Sequence, residues 1–488
     1  MTAFFAILVL LGPSFAQTQL VGPSGTVNAV GISSDLGQEY LGSQQVSNTS
    51  SNTSTSFVVR NGSQLELNGQ RYQFTGANCY YLMQKAADNS TRSQVTDALK
   101  AAKDLGLTVI RTWAFNDGPN SSFPLQTQPG QLDARVFREG LDYVVSQAAA
   151  FGLQLILTLT NYYADYGGMQ QYVVWANATG TVQQFYTDST IQAQYKDYMT
   201  AIILRKNTFT GVVYRDDPTI LAWDIANEPS NPGDDSGDIL QSWLESASSY
   251  VKSVDSNHLV YAGLSGLFGI STPDLIQINS NITYNWLPYT SIPYDTACNG
   301  NDYARNIATP DIDLASLHLY PPIRPHWTED LRNQIQAVLG VAEAAGRPLV
   351  VDEFNIQRPI RHRNEGLQLI HGMLQNSSSS VAGSCIWMIA SPTYPDYDGF
   401  QIFPTEASTA LPQPRLGRSL QEQAAINAQN SYFRNFDALL SCVQRRNQQQ
   451  PPEGPWPYLD GWNVTLSIIR SAAAAFNSSS AYNIDVTN

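Results

Sequence analysis

The sequence predicts an α/β fold: a single domain built as a (β/α)8 barrel of the TIM-barrel type, with a short N-terminal hairpin at the barrel base. Three observations lead there. Short apolar runs alternate with stretches of helical period, and eight such runs can be counted. The runs collect polar and aromatic residues at their C-terminal ends. No glycine-rich phosphate loop follows any run, which argues against an open doubly wound sheet.

The elements follow in order. Phe57 to Phe74 alternates apolar and polar residues around two Asn-Gly pairs, a hairpin pattern. Strand one is Tyr72 to Asn78, followed by a helix near Arg92 to Leu105. Strand two, Leu107 to Phe115, precedes a helix near Asp133 to Phe151. Strand three, Leu153 to Asn161, leads through a long loop to a helix near Ile191 to Arg205. Strand four starts at Ile220 and ends on Asn227 and Glu228, where Pro229 stops it. A helix near Ile239 to Val254 then leads to strand five, His258 to Leu264. Strand six is Ile312 to Tyr320, with a helix near Glu329 to Ala345. Strand seven is Arg347 to Phe354, with a helix near Gly366 to Gln375, and strand eight is Ala382 to Ala390. Ser419 to Arg446 and Asn463 to Phe476 both read as helices, and either can serve as the eighth helix of the barrel.

The flanks read differently. Ala3 to Leu11 is an apolar core too short to span a bilayer, and Ser14 and Ala16 form a small-x-small cleavage site. Residues 1–16 are therefore expected to be a signal peptide. Residues 17–56, rich in Ser, Thr and Asn, read as a flexible segment, 57–476 as the catalytic barrel, and 477–488 as a tail. The chain carries 488 residues with a net charge of −14. Such a charge disfavours nucleic acid and anionic membrane and suits a neutral partner. Ten Asn-x-Ser/Thr sequons agree with a secreted, extracellular glycoprotein. Four cysteines, Cys79, Cys298, Cys385 and Cys442, lack metal-ligand spacing and fit an oxidising compartment. Three pairings are open; Cys79 with Cys385 is preferred, because strands one and eight are neighbours in a closed barrel.

In such a barrel the strand tips face one mouth. Asn78, Arg111, Trp113, Asn161, Asn227, Glu228, His318, Tyr320, Glu353 and Trp387 all fall there. A glutamate after strand four and another after strand seven suit glycoside hydrolysis by two carboxyls, one protonated and one ionised. Arg111 and Tyr320 are candidates to hold the ionised partner, and Trp387 offers a flat apolar face to a sugar ring. A lone histidine such as His318 is more often a satisfied core residue. The cluster of Arg358, Arg361, His362 and Arg363 reads as a solvated loop.

The stretches VIRTWAFNDG, LILTLTNYYADYGG, TFTGVVYRDDPTILAWDIANEP, IDLASLHLYP, VVDEF and DGFQIF together resemble glycoside hydrolase family 5, and within it the plant and fungal endo-β-1,4-mannanases. The resemblance implies Glu228 as acid/base and Glu353 as nucleophile. It implies that Asn227 bonds a sugar 2-hydroxyl and that Arg111 holds Glu353. His318 and Tyr320 would tune the acid/base and the nucleophile. Trp387 would floor a subsite and Trp113 line the cleft. Asn161 stands where many family members carry histidine and matches the mannanase branch. No metal or organic cofactor is implied. The implied partner is a β-mannan-type polysaccharide, acted on by a monomer. One departure is Asn355, where many relatives have glycine; asparagine tolerates a left-handed backbone. A β-1,4-glucanase, a transglycosylase and a catalytically silent wall-binding protein remain alternatives at this stage.

Overall fold

The computed structural model describes residues 56–176, 180–279, 299–321, 326–357, 360–377, 380–395, 399–404 and 468–474. The expected signal peptide, residues 17–55 of the expected flexible segment, Cys298, Cys442, Ser419–Arg446 and the tail lie outside these residues.

The chain first forms a small antiparallel sheet of Val59–Asn61, Gln64–Leu67 and Gln70–Tyr72. The second of its turns takes Asn68 and Gly69 at φ 54° and 75°. Two successive positive φ values match the right-handed twist of the strands, which is why Asn-Gly serves there.

Eight parallel strands follow: β1 Phe74–Asn78, β2 Val109–Trp113, β3 Gln154–Thr158, β4 Ile220–Asn227, β5 Leu259–Gly263, β6 Ala315–Leu319, β7 Leu349–Phe354 and β8 Val381–Ile386. Their order is β5-β4-β3-β2-β1-β8-β7-β6. Every residue of the eight strands is buried, as expected for strands covered on both faces.

The ring closes between β5 and β6 by a different device. Two backbone hydrogen bonds cross there, Asp313 N–H to Val260 O (2.7 Å) and His318 N–H to Leu264 O (3.1 Å). Side chains supply the rest. Ser316 Oγ donates to Ala262 O (2.5 Å) and accepts from Leu264 N–H (2.7 Å), while Asp313 accepts from Val260 N–H (2.8 Å).

Helices cover the outside: α1 Ser93–Asp104, α2 Tyr143–Phe151, α3 Ser189–Ile203, α4 Asp238–Val254, α5 Tyr303–Ala308, α6 Trp327–Ala344 and α7 Ile360–Asn376. α5 is short and has no counterpart in the sequence reading. Asp188 caps α3 by accepting from Thr190 and Ile191 N–H, which satisfies two otherwise orphaned donors. Of the two helices read near the end of the chain, residues 468–474 are helical. Ile469 and Ala473 there join the core, and Ala473 lies against Gly106, in the turn entering β2.

The Cys79–Cys385 bridge is not made; both residues carry buried free thiols. The register explains this. Cys385 lies opposite Gly76, so Cys79 is three residues out of step, about 10 Å along the strand. Cys79 instead donates to Ile389 O (3.4 Å).

Candidate active site

The strand tips converge as the sequence reading expects. Arg111 lies wholly buried on β2 and reaches four neighbours. Its Nη1 donates to Glu353 Oε1 (2.5 Å) and to Asn78 Oδ1 (3.1 Å). Its Nη2 donates to Asp224 Oδ2 and to Asn227 Oδ1, each at 2.7 Å. Glu353, at the β7 tip, accepts on its other oxygen from Tyr320 Oη (2.8 Å). Both carboxylate oxygens of Glu353 thus face donors, an arrangement that favours its ionised form.

Glu228 follows the last residue of β4 in a left-handed backbone, φ 47°. For a residue other than glycine this conformation costs on the order of 1–3 kcal/mol. The surroundings hold it: Glu228 N–H donates to Gly263 O (2.7 Å), and Pro229 follows at once. The bend aims the side chain at the mouth, where Glu228 Oε1 meets His318 Nδ1 at 2.7 Å.

His318 also lies 3.4 Å from Glu353 Oε2 and 3.5 Å, through Nε2, from Asp352 Oδ1. Burial alone would lower its pKa. The charges of Glu353 and Asp352, with hydrogen bonds to Asp352 and Glu228, overcome that and hold the imidazole well above the usual histidine range. For Glu353 burial acts the other way, pushing the carboxyl above the usual glutamate range. The nearby charges of His318 and Arg111 oppose the push, Glu228 adds to it, and the Tyr320 hydrogen bond also opposes it.

A ligand-type atom of each of Glu228, His318 and Glu353 lies within 4.8 Å of the others. By atom type such a trio can hold a cation. Here its contacts run within the protein instead: Arg111 and Tyr320 occupy the Glu353 oxygens, and Glu228 occupies His318 Nδ1. The set therefore suits proton handling. Two carboxyls this close fit the roughly 5–5.5 Å separation of retaining glycosidases rather than the wider spacing of inverting ones.

The remaining predicted residues surround this pair. Asn227 Nδ2 donates to Asn161 Oδ1 (3.0 Å), and the two residues form a parallel β-bridge. Trp387 lies parallel to Tyr80, ring centroids 5.4 Å apart at 5°. Trp113 packs against Tyr80 and Tyr166 at 4.9 and 5.2 Å. Tyr80 and Tyr166 complete this aromatic wall and were not singled out from the sequence.

Asp224 and Asp352 were also missed, although both stand inside motifs that were read. Asp224 accepts from Arg111, from Thr158 Oγ1 (2.8 Å) and from Gly263 N–H (2.9 Å). Asp352 accepts from Leu317 N–H (3.2 Å). The available signal was a lone charge within an apolar strand, since such residues are buried almost only when paired.

Two expectations are corrected. Asn355 is not among the residues with positive φ; its side chain is what the site uses, donating to Trp387 O and Phe400 O. Arg363 is not solvated but wholly buried, bonded to backbone carbonyls. Trp327, the first residue of α6, packs into the core.

A closed parallel barrel with two facing carboxyls at its C-terminal mouth defines a glycoside hydrolase of the retaining geometry. Residues 55–287 match the model of the glycoside hydrolase family 5 β-mannosidase-like group. Mannan endo-1,4-beta-mannosidase 2 of Oryza sativa subsp. japonica is 36% identical over 393 residues, 75% of this chain and 83% of the relative. Mannan endo-1,4-beta-mannosidase 1 of Arabidopsis thaliana is 35% identical over 369 residues, 72% of this chain and 86% of the relative. Among solved structures, the endo-1,4-beta-mannanase of Rhizomucor miehei superposes with a TM-score of 0.58 at 29% identity, covering 72% of this chain and 96% of that one. The chain belongs to glycoside hydrolase family 5.

Proposed function

We propose that this chain is a secreted, retaining endo-β-1,4-mannanase that cuts mannan, glucomannan and galactomannan backbones by double displacement. The observation that carries the chemistry is the Glu228–Glu353 pair, with His318 on the first carboxyl and Arg111 and Tyr320 on the second. The names borne by the rice, Arabidopsis and Rhizomucor relatives support mannan as the substrate class. No described helix is long and apolar enough to cross a membrane. The sequons at Asn61, Asn89, Asn120 and Asn376 are exposed, as N-glycosylation requires.

In the first step Glu353 attacks the anomeric carbon. The glycosidic C–O bond breaks as Glu228 gives its proton to the leaving oxygen, and a glycosyl ester of Glu353 forms. In the second step water attacks that carbon, Glu228 takes a proton from the water, and the ester bond breaks to return the Glu353 carboxylate. Asn227 spends one amide hydrogen on Asn161 and keeps a second for the sugar 2-hydroxyl. Trp387 floors the cleft and Trp113 lines its wall. No nucleic acid or membrane partner enters this reading.

The test is release of reducing ends from linear mannan, glucomannan and β-1,4-glucan, with Glu353→Ala beside the wild type. Mannan cleavage should be abolished by the substitution, and azide should restore turnover of an activated aryl mannoside as a glycosyl azide. Cleavage of glucan alone would overturn the substrate assignment. An unimpaired Glu353→Ala would overturn the nucleophile.

A further inference from the structure

Three consecutive backbone carbonyls after β8 are captured by two buried side chains. Arg363 donates through Nη2 to Gly399 O and through Nη1 to Gln401 O (3.4 Å). Asn355 Nδ2 takes the carbonyl between them, Phe400 O, at 2.9 Å. The same amide also donates to Trp387 O. Arg363 Nε meanwhile holds Ile356 O (2.9 Å), one residue past Asn355. A parallel bridge between Ile389 and Ile402 fixes the far end of the segment.

The captured residue in the middle has one prominent ring contact. Phe400 meets Tyr320 edge to face, centroids 5.4 Å apart at 74°. Tyr320 in turn donates to Glu353 Oε2. An unbroken physical chain therefore runs from Arg363 and Asn355, through Phe400, to the hydroxyl on the catalytic carboxylate.

We propose that Arg363, Asn355 and Phe400 are positioning residues for Tyr320: they clamp residues 399–401 so that the Phe400 ring fixes the phenol against Glu353. The proposal rests on the reading of Glu353 as nucleophile. Asn355 does a second service, because its one amide ties the backbone of the Trp387 platform to the segment that sets Tyr320. Sugar floor and nucleophile are thereby held in one register. A glycine at position 355 would supply neither bond.

The decisive variants are Phe400→Leu and Arg363→Lys, each alone and combined with Tyr320→Phe, assayed on linear mannan. Phe400→Leu keeps an apolar core residue and stands if the arginine variant fails to fold. The expected result is a fall in kcat of about 10- to 100-fold with KM changed less than about twofold, because the nucleophile is misaimed while sugar binding persists. The acid limb of the pH–rate profile should move to higher pH. In the Tyr320→Phe background neither substitution should lower kcat further, since the group being positioned has lost its hydroxyl. Folded single variants with unchanged kcat and acid limb would overturn the proposal. So would losses that multiply fully with Tyr320→Phe, or a lowered melting temperature as the sole effect. Azide rescue of Glu353→Ala reports separately on the nucleophile, so failure of that reading is distinguishable from failure of the clamp.

Discussion

Arg111 donates to Glu353 across 2.5 Å, with the guanidinium wholly buried in the barrel. The same cation touches Asp224 on β4 and lies 3.7 Å from Asp352 on β7. It is the positive centre of a ring of buried carboxylates.

Removing that centre should therefore harm the fold as well as the reaction. Arg111→Met leaves Asp224 and Glu353 buried without their partner and should destabilise the chain by about 3–5 kcal/mol, read from denaturant midpoints. Arg111→Lys keeps the charge but cannot span Glu353, Asp224, Asn227 and Asn78 at once. It should fold and lose kcat, with KM on mannan changing less.

The acid limb of activity follows from Glu353. Burial raises its carboxyl, and His318, Arg111 and the Tyr320 hydroxyl pull it back. With Glu353 as the proposed nucleophile, its ionised form is lost as pH falls through this value, so activity should fade at higher pH than a free glutamate would dictate. Tyr320→Phe removes one of the lowering bonds and should move the acid limb to higher pH. A pH–rate profile of kcat/KM checks both the position and the displacement.

A second buried acid lies outside the chemistry. Asp117 is almost wholly buried, receives Gln126 Nε2 at 3.2 Å, and is pushed up to about 8 by burial. Its folded-state value exceeds its unfolded one, so the protonated form stabilises the fold. That contribution is complete below the ordinary aspartate pKa and is lost as pH rises through about 8. Asp117→Asn keeps the hydrogen-bonding shape without the ionisation. Its melting temperature should match or exceed that of the wild type, and the gap should widen between pH 5 and pH 9.

Asp117 also bears on the cleft. Its N–H donates to Tyr166 O (2.8 Å), and Gly167, at φ 87°, brings its backbone so close that a Cβ there would fall 2.3 Å from Asp117 O. Tyr166 belongs to the aromatic wall beside Trp113. Loss of the wall at alkaline pH should appear as a rise in KM that Asp117→Asn prevents.

The eight strands were legible because each is a short apolar run whose tip turns polar, a pattern that needs no tertiary knowledge. Glu228 and Glu353 were legible for the same reason, each standing at such a tip. What escaped depends on partners distant in sequence. Asp224 and Asp352 pair with Arg111 and His318 from other strands. Arg363 looked solvated because its acceptors are backbone carbonyls, which no side-chain pattern reveals. Asn355 was read for its backbone when its amide was the working part. Cys79 and Cys385 were matched by strand adjacency, but register along the strands keeps them apart.

The seam between β5 and β6 ties the closure of the barrel to the site. His318 N–H closes that seam on Leu264 O, and the His318 ring is the partner of Glu228. One residue therefore serves both the closure of the ring and the acid at the tip of β4: its backbone joins the two strands while its ring meets the carboxyl. A shift of β6 along that seam carries the imidazole away from Glu228.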